Sequence, residues 1–383
     1  MSEYQYYEFT AVDRPLTGRE RAELRSLSTR ADITATSFVN TYEWGNFKGD
    51  PRKLMERYFD AHLYLANWGT RQLMLRLPKH VLDPATVAQY CQSDSASAWT
   101  AGKYVIIDLH DEDEDGTYEW DLDGHGLLAS IIPVRAGLAA GDLRLLYLAW
   151  LRCVQSEDIA DDEPEPPVPA GLGTLDAALT AVAEFLRIDP DLIMAAAAGS
   201  ALATSDEPTP AQLRTWVVRL PARDKDAILA NLITGGDSHL RSQLLRRYRD
   251  AHRTDACTPT AARTAGELLA TAAELRAERE RRDADQRERD RIRRERSAAA
   301  ARQRHLDTLA VDQPAAWLRV DELIDTKKPR EYDTAVQLLV DLRDLGERDG
   351  DSTSFRNRLA ELRAVHARKP SLLERLNLAG LDT

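Results

Sequence analysis

The stretch from residue 274 to 305 constrains the fold most, because it offers almost nothing for a core to bury. Its sequence is ELRAERERRDADQRERDRIRRERSAAAARQRH. Residues 276–296 contain ten arginines and seven acidic residues, and Ile292 is their only bulky apolar side chain. Residues 267–311 lack proline and glycine, so helix propensity is high. Acids also stand four residues before arginines, a spacing that stabilises a helix by about 0.2–0.5 kcal/mol per pair. We predict one long, mostly solvated charged helix over residues 262–310.

Three roles are open to this helix. A solvated structural arm between helical units is favoured, since alternating charge is typical of an exposed helix face. About 45 helical residues would extend over roughly 65–70 Å. A protein-docking arm and a phosphate contact are the alternatives, although the local charge is only 10 − 7 = +3 over residues 276–296. The candidate interaction residues are Arg276, Arg279, Arg282, Arg287, Arg291 and Arg294.

Composition narrows the class of protein. The chain has 383 residues and a formal net charge of −12, which disfavours a globally basic nucleic-acid binder and predicts two or three domains. Cys91, Cys153 and Cys257 are far apart in sequence and form no CxxC pair, so neither a zinc ribbon nor a disulfide framework is expected. The sequence opens without a signal-peptide pattern and has no apolar run of bilayer length. We expect a cytoplasmic protein without a membrane segment or cofactor.

The first 160 residues predict an α/β-type domain with a mixed sheet, because strand and helix patterns alternate. Strands are expected at residues 4–12, 36–44 and 71–78, and a hairpin at 103–110 and 117–123. Residues 50–67 are predicted to be a helix, since Leu54, Tyr58, Ala61 and Leu65 recur at helical spacing.

The rest of the chain predicts helices. Residues 161–173, DDEPEPPVPAGLG, have the composition of an acidic, proline-rich linker. A helical domain is expected at residues 174–254 and a C-terminal helical domain at 313–383, on either side of the long helix. The predicted fold class is therefore α+β.

Candidate chemistry concentrates near residues 110–125. Asp111, Asp113, Asp115 and Gly116 match the start of a calcium-binding loop, but Leu122 stands where that loop requires a bidentate glutamate. His110, Asp121, Asp123 and His125 would suit acid–base or metal chemistry, although no nucleophile or third ligand is defined. We therefore assign no catalytic, cofactor-binding or metal-binding residue.

Two patterns leave a nucleic-acid role open. Arg71, Arg76 and Lys79 would form a basic patch. The aromatic residues near the start of the chain would suit base stacking, but acidic Glu3, Glu8 and Glu43 lie among them and core packing is favoured.

Several stretches resemble an uncharacterised, mainly actinobacterial protein family. They are YQYYEFTAVDRPLTGRERAELRSLSTRADITATSFVNTYEWGNFKGDP, DAHLYLANWGTRQLMLRLP, LPARDKDAILANLITGGDSHLRSQLLRRYR and RNRLAELRAVHARKPSLLERLNLAGL. The resemblance implies genes beside SWIM zinc-finger or helicase genes. Since the chain lacks the Cys and His ligands of a SWIM finger, it would be a companion protein, and no activity or site residue is carried over.

The sequence therefore predicts a non-catalytic interaction or scaffold subunit with a protein partner. The alternatives are a nucleic-acid-associated accessory protein of a helicase-type or defence-type system, and an enzyme with a site near His110–His125. The oligomeric state is left open.

Overall fold

The computed structural model describes residues 4–112, 123–202, 208–234, 239–252 and 263–382. It contains two compact units, Met1–Arg279 and Glu280–Thr383. The first unit holds a sheet and helices, and the second is helical. The predicted α+β class is thus confirmed.

A seven-stranded sheet forms the centre of the first unit. Its strands are β1 (Gln5–Thr10), β2 (Asp32–Ile33), β3 (Ser37–Tyr42), β4 (Ala61–Ala66), β5 (Arg71–Pro78), β6 (Ala96–Ala101) and β7 (Tyr104–Asp111), in the order β2-β3-β1-β4-β5-β7-β6. Every pairing is antiparallel, so the predicted mixed sheet is corrected to an antiparallel one. The physical reason is that short turns join β4 to β5 and β6 to β7, and such turns connect only antiparallel neighbours.

The helices of the first unit follow and interrupt this sheet. They are α1 (Gly18–Leu27), α2 (Pro51–Arg57), α3 (Pro84–Val87), α4 (Leu127–Ile131), α5 (Pro133–Ala139), α6 (Arg144–Gln155), α7 (Ala177–Phe185), α8 (Pro190–Ala197), α9 (Pro210–Arg219), α10 (Ala222–Thr234) and α11 (Leu240–His252). The start of α12 (Ala265–Val311) also belongs to this unit.

The predicted helix over residues 50–67 is wrong in its second half. Helix α2 ends at Arg57, and β4 runs between β1 and β5 in the sheet. Leu63 and Leu65 are buried in the core on one face of the sheet, and His62 is buried on the other. A strand that is covered on both faces loses the alternation of apolar and polar residues.

Different cores cover the two faces of the sheet. On one face, Tyr6 and the leucines of β4 and β5 pack with α4 to α8 and the start of α12. On the other, Phe9, Phe38 and Phe59 form an aromatic core with α1 and α2. Most of the early aromatic residues therefore pack inside the protein.

Residues 161–173 lie within the first compact unit. Leu172 is buried in its main core, and Glu165 accepts hydrogen bonds from Tyr147 and from Arg263, just before α12. The boundaries at 161–173 and between the predicted helical domains stay predictions about domain organisation.

The second unit contains the later part of α12 and four further helices. These are α13 (Gln313–Asp325), α14 (Pro329–Asp349), α15 (Ser352–Val365) and α16 (Pro370–Leu378). Their core includes Trp317, Leu339, Phe355 and Leu372. Proline occupies the first turn of α13, α14 and α16, where its missing N–H costs no intrahelical hydrogen bond.

The long charged helix is confirmed as α12, a single helix of 47 residues. Its first turns bury Ala265, Leu268 and Ala272, and Leu306 is buried near its end. From residue 280 to 301, each side chain is exposed except those of Asp290 and Ile292, which are half-buried.

Candidate functional site

A cavity of about 1090 Å³ lies in the first unit, between one end of the sheet and helices α9 to α11. Nineteen described residues line it: Asp13, Arg14, Pro78, His80, Lys103, Tyr104, Pro208, Leu213, Trp216, Val217, Ile228, Asn231, Leu232, His239, Leu240, Arg241, Leu244, Leu245 and Arg249. This volume lies slightly above the range of about 300–1,000 Å³ that is usual for small-molecule clefts.

Local sequence explains the helical wall of this cavity. Thr209 caps α9, accepting a hydrogen bond from the Gln212 backbone while the Gln212 side chain accepts one from the Thr209 backbone. Pro210 then occupies the first turn. Trp216 of α9 packs edge-on against Tyr248 of α11, with ring centroids 5.6 Å apart.

Helix α11 is fixed to the body of the unit by long side chains. Arg246 donates to the Val81 carbonyl at 2.7 Å, and Arg249 donates to the Ala140 carbonyl at 2.7 Å. His239 precedes the helix and lies 3.1 Å from the Asp13 carboxylate. These polar contacts attach α11 to the rest of the unit. The apolar side chains of the helices are then part of the cavity lining.

A chain of charged side chains leads from the cavity into the protein, and Asp13 is its member that lines the cavity. Arg135 binds the Asp13 carboxylate through two hydrogen bonds of 2.8 and 2.6 Å and donates to the Arg76 carbonyl at 2.8 Å. Arg76 donates to Asp60 at 2.8 Å, and Asp60 also accepts from the backbone N–H groups of Val12 and Asp13. Asp60, Arg76 and Arg135 are almost fully buried. Two carboxylates and two guanidiniums balance, so the network is neutral apart from His239.

Asp13 has a strongly perturbed carboxyl group. Burial alone would raise its pKa, but hydrogen bonds from His239 and Arg135 outweigh burial and hold the pKa well below its usual range. The carboxylate is thus charged at neutral pH and already has its partners. This arrangement joins the end of the sheet to the residue that precedes α11.

The lining combines apolar surface with positive charge. Eleven of the nineteen lining residues are apolar or aromatic, four are Arg or Lys, and Asp13 is the one acidic residue among them. Val217 and Leu232 are 44% and 66% exposed, and Val218, Leu229 and Ile233 on the same two helices are exposed as well. The apolar part of the cavity lining thus continues onto exposed positions of α9 and α10.

The six candidate arginines of α12 divide between two environments. Arg276 pairs with Asp189, and Arg279 donates to Asp191 at 2.7 Å, so both join α12 to α8 within the first unit. Arg291 pairs within the helix, at 2.7 Å from Glu288 and 2.6 Å from Glu295. Arg282, Arg287 and Arg294 are exposed. Their role in an interaction stays a prediction.

The structure does not bring His110 and His125 together. His110 lies 2.9 Å from Asp108 and 3.0 Å from Gln72, on the face of the sheet that carries His62. His125 contacts Tyr6, whose side chain belongs to the core on the opposite face. The acidic loop motif from Asp113 to Gly116, together with Asp121 and Leu122, lies outside the described residues.

The predicted basic patch is also separated. Arg76 is buried in the charge network, whereas Arg71 donates to the carbonyls of Glu184 and Phe185. Because they stand five positions apart on one strand, their side chains point to opposite faces of the sheet.

The cavity and its charge network were missed at the level of sequence. Asp13 lies 122 residues from Arg135 and 226 from His239. No local motif links positions so far apart. The sequence does show the apolar residues of α9 and α10, but such residues are normally assigned to a core, and only the structure shows that several are exposed.

Comparisons with known proteins do not assign this site. No family model, curated protein or solved structure matches the chain. Across the described part, no group of three His, Cys, Asp or Glu side chains is placed to hold a metal ion. Among those same residues, no helix combines the length and apolar character that crossing a bilayer requires.

Proposed function

We propose that this protein is a non-catalytic adaptor subunit that binds a partner protein through the cavity beside α9, α10 and α11. The observation that carries the proposal is the exposed apolar surface of α9 and α10, which continues into the cavity lining. Protein interfaces typically combine an apolar centre with a polar rim, and this site has both. We place the protein in the cytoplasm, since Cys91 and Cys153 are buried free thiols.

The charges in the site support binding and not chemistry. Asp13, its most perturbed group, is held by Arg135 and His239 and is committed to structure. The wall is fixed by Arg246 and Arg249, so the apolar helix surface is preorganised for a partner.

Affinity purification of the tagged full-length protein from its native host tests this function. Leu232→Asp places a charge on the exposed apolar wall and should abolish capture of the main partner protein. Arg287→Glu, on the exposed part of α12, is the matched surface control and should leave capture unchanged. Capture that survives Leu232→Asp would contradict the cavity as the binding site, and capture lost in Arg287→Glu would move the site to α12.

Nuclease treatment of the captured complexes tests the alternative function, that of a nucleic-acid-associated accessory protein. If nuclease treatment released every captured protein, nucleic acid would be the true ligand and the adaptor proposal would be rejected. The arginines of α12 would then be the proposed nucleic-acid contact, and the affinity for nucleic acid should fall steeply as the salt concentration rises.

A further inference from the structure

The charge of the cavity lining is opposite in sign to the net charge of the chain. The protein as a whole carries a net charge of −12, yet the described lining holds Arg14, Lys103, Arg241 and Arg249 against Asp13 alone. Arg14 is paired with Glu20, at 2.6 Å. Lys103 and Arg241 are exposed at the opening.

Asp13, the one acidic side chain among the described lining residues, does not offset these cations. Both oxygens of Asp13 accept hydrogen bonds from Arg135, and His239 lies 3.1 Å away. The negative charge of Asp13 is therefore already compensated inside the protein. An incoming ligand meets the exposed cations Lys103 and Arg241 beside the apolar side chains of the lining.

From this charge pattern we infer that the occupant of the cavity is an acidic segment of a partner protein that also carries large apolar side chains. The inference rests on the proposed adaptor function and adds the chemistry of the ligand. Carboxylates of the segment accept hydrogen bonds from Lys103 and Arg241, and its apolar side chains pack on Leu213, Val217 and Leu232. Opposite charges of this kind favour one class of partner and speed its association.

The apolar content of the site favours a protein over a nucleic acid. Eleven of the nineteen lining residues are apolar or aromatic, while interfaces for nucleic acids are more polar and more densely positive. A phosphate backbone would leave the wall formed by Val217 and Leu232 without apolar contacts.

Selection from a displayed library of random 12-residue peptides on the immobilised full-length protein tests the inference. The Leu232→Asp protein serves as the subtraction control. We expect enrichment of peptides that combine Asp or Glu with Leu, Phe or Trp. Enrichment of neutral or basic peptides that depends on Leu232 would overturn the acidic ligand and leave the adaptor function standing. No enrichment over the Leu232→Asp protein would overturn both.

Charge-reversed proteins then measure the contribution of the cations. The enriched peptide, labelled with fluorescein, should bind the Lys103→Glu/Arg241→Glu protein at least about tenfold more weakly, which corresponds to 1.4 kcal/mol. Arg214→Glu/Arg223→Glu is the matched control, because both arginines are exposed on α9 and α10 and lie outside the lining. Equal losses in the two proteins would show a general effect of net charge and overturn the inference.

Two further measurements separate other occupants. In the first, a 20-nucleotide single strand and the unlabelled peptide each compete with the labelled peptide. If the single strand displaces it at an equal or lower concentration than the unlabelled peptide does, the cavity binds nucleic acid and the inference is overturned. Sedimentation that shows a dimer of the wild-type chain and a monomer of Leu232→Asp would assign it to a second copy, again overturning it.

Discussion

Arg135 is the residue on which the charge network depends most. It is buried, it holds Asp13 through two hydrogen bonds, and it lies 3.7 Å from Asp60. Removing one partner of a buried ion pair is strongly destabilising, because the remaining charge stays in a poorly solvated place. The stability of the fold near the cavity thus rests on one side chain.

We predict that Arg135→Met lowers the free energy of unfolding by about 3–5 kcal/mol. Arg14→Met is the control, since it removes an exposed pair with Glu20 and should cost no more than about 1 kcal/mol. Urea unfolding followed by circular dichroism at pH 7 measures both. Similar losses of unfolding free energy in the two proteins would show that the buried network stabilises the fold no more than an exposed ion pair does.

His62 is a second buried residue with a clear consequence for stability. Its ring stacks on Phe9 at 3.9 Å, and its Nδ1 lies 2.9 Å from the Glu8 carbonyl oxygen, while Nε2 has no hydrogen-bond partner. Burial is the main cause that lowers the pKa of His62 to about 4. The nearby Asp108 opposes this shift, and His110 adds to it.

We predict that stability falls by about 3 kcal/mol between pH 7 and pH 4 because of His62. An unfolded histidine takes up a proton near pH 6.5, whereas folded His62 resists protonation until about pH 4. The stabilisation is therefore full above pH 6.5 and is lost as the pH falls through this window. In His62→Phe, the same loss should be absent from urea unfolding curves measured at pH 7, 5.5 and 4.

Leu318→Ala is the control for this effect, because Leu318 is 62% exposed and carries no titratable group, so its pH profile should be that of the wild type. An unchanged pH profile in His62→Phe would assign the acid sensitivity of the fold to its carboxylates. Asp13 is the first of these, since its depressed pKa gives stability that is lost only at lower pH.

At the scale of elements, sequence patterns predict the helices and strands whose conformation is determined by their own residues. Helix α12 was predictable because it lacks proline and glycine and carries interleaved charges. Strand β4 was not, because its residues Ala61 and Leu65 continue the helical spacing of α2. Only the neighbouring strands β1 and β5 decide that this segment is extended, and sequence spacing does not contain that pairing.

The candidate site shows the same limit more strongly. The helices of its wall were expected from local patterns, but the cavity exists only where α11 meets the sheet end through His239, Arg246 and Arg249. Along the chain, charges cluster at residues 276–296 and 110–125, and local patterns therefore favour those segments as functional. The structure concentrates buried charge where distant residues meet.

At the scale of the whole molecule, each compact unit has its own apolar core. The core of the second unit contains Trp317, Leu339, Phe355 and Leu372, which all follow α12. No side chain at 280–301 belongs to any of the apolar cores, and all are exposed except the half-buried Asp290 and Ile292. A core that is complete within one stretch of chain can fold without the rest.

We predict that a fragment of residues 297–383 folds alone into a helical protein with one cooperative thermal transition. An unfolding enthalpy of about 60 kcal/mol is expected for its length. Leu339→Ala, which opens a cavity at a fully buried position, should destabilise the fragment by about 2–5 kcal/mol. Leu318→Ala, at a side chain that is 62% exposed, should change stability by less than about 0.5 kcal/mol. Circular dichroism and calorimetry measure these values, and a broad, non-cooperative transition would mean that the second core needs residues that precede 297.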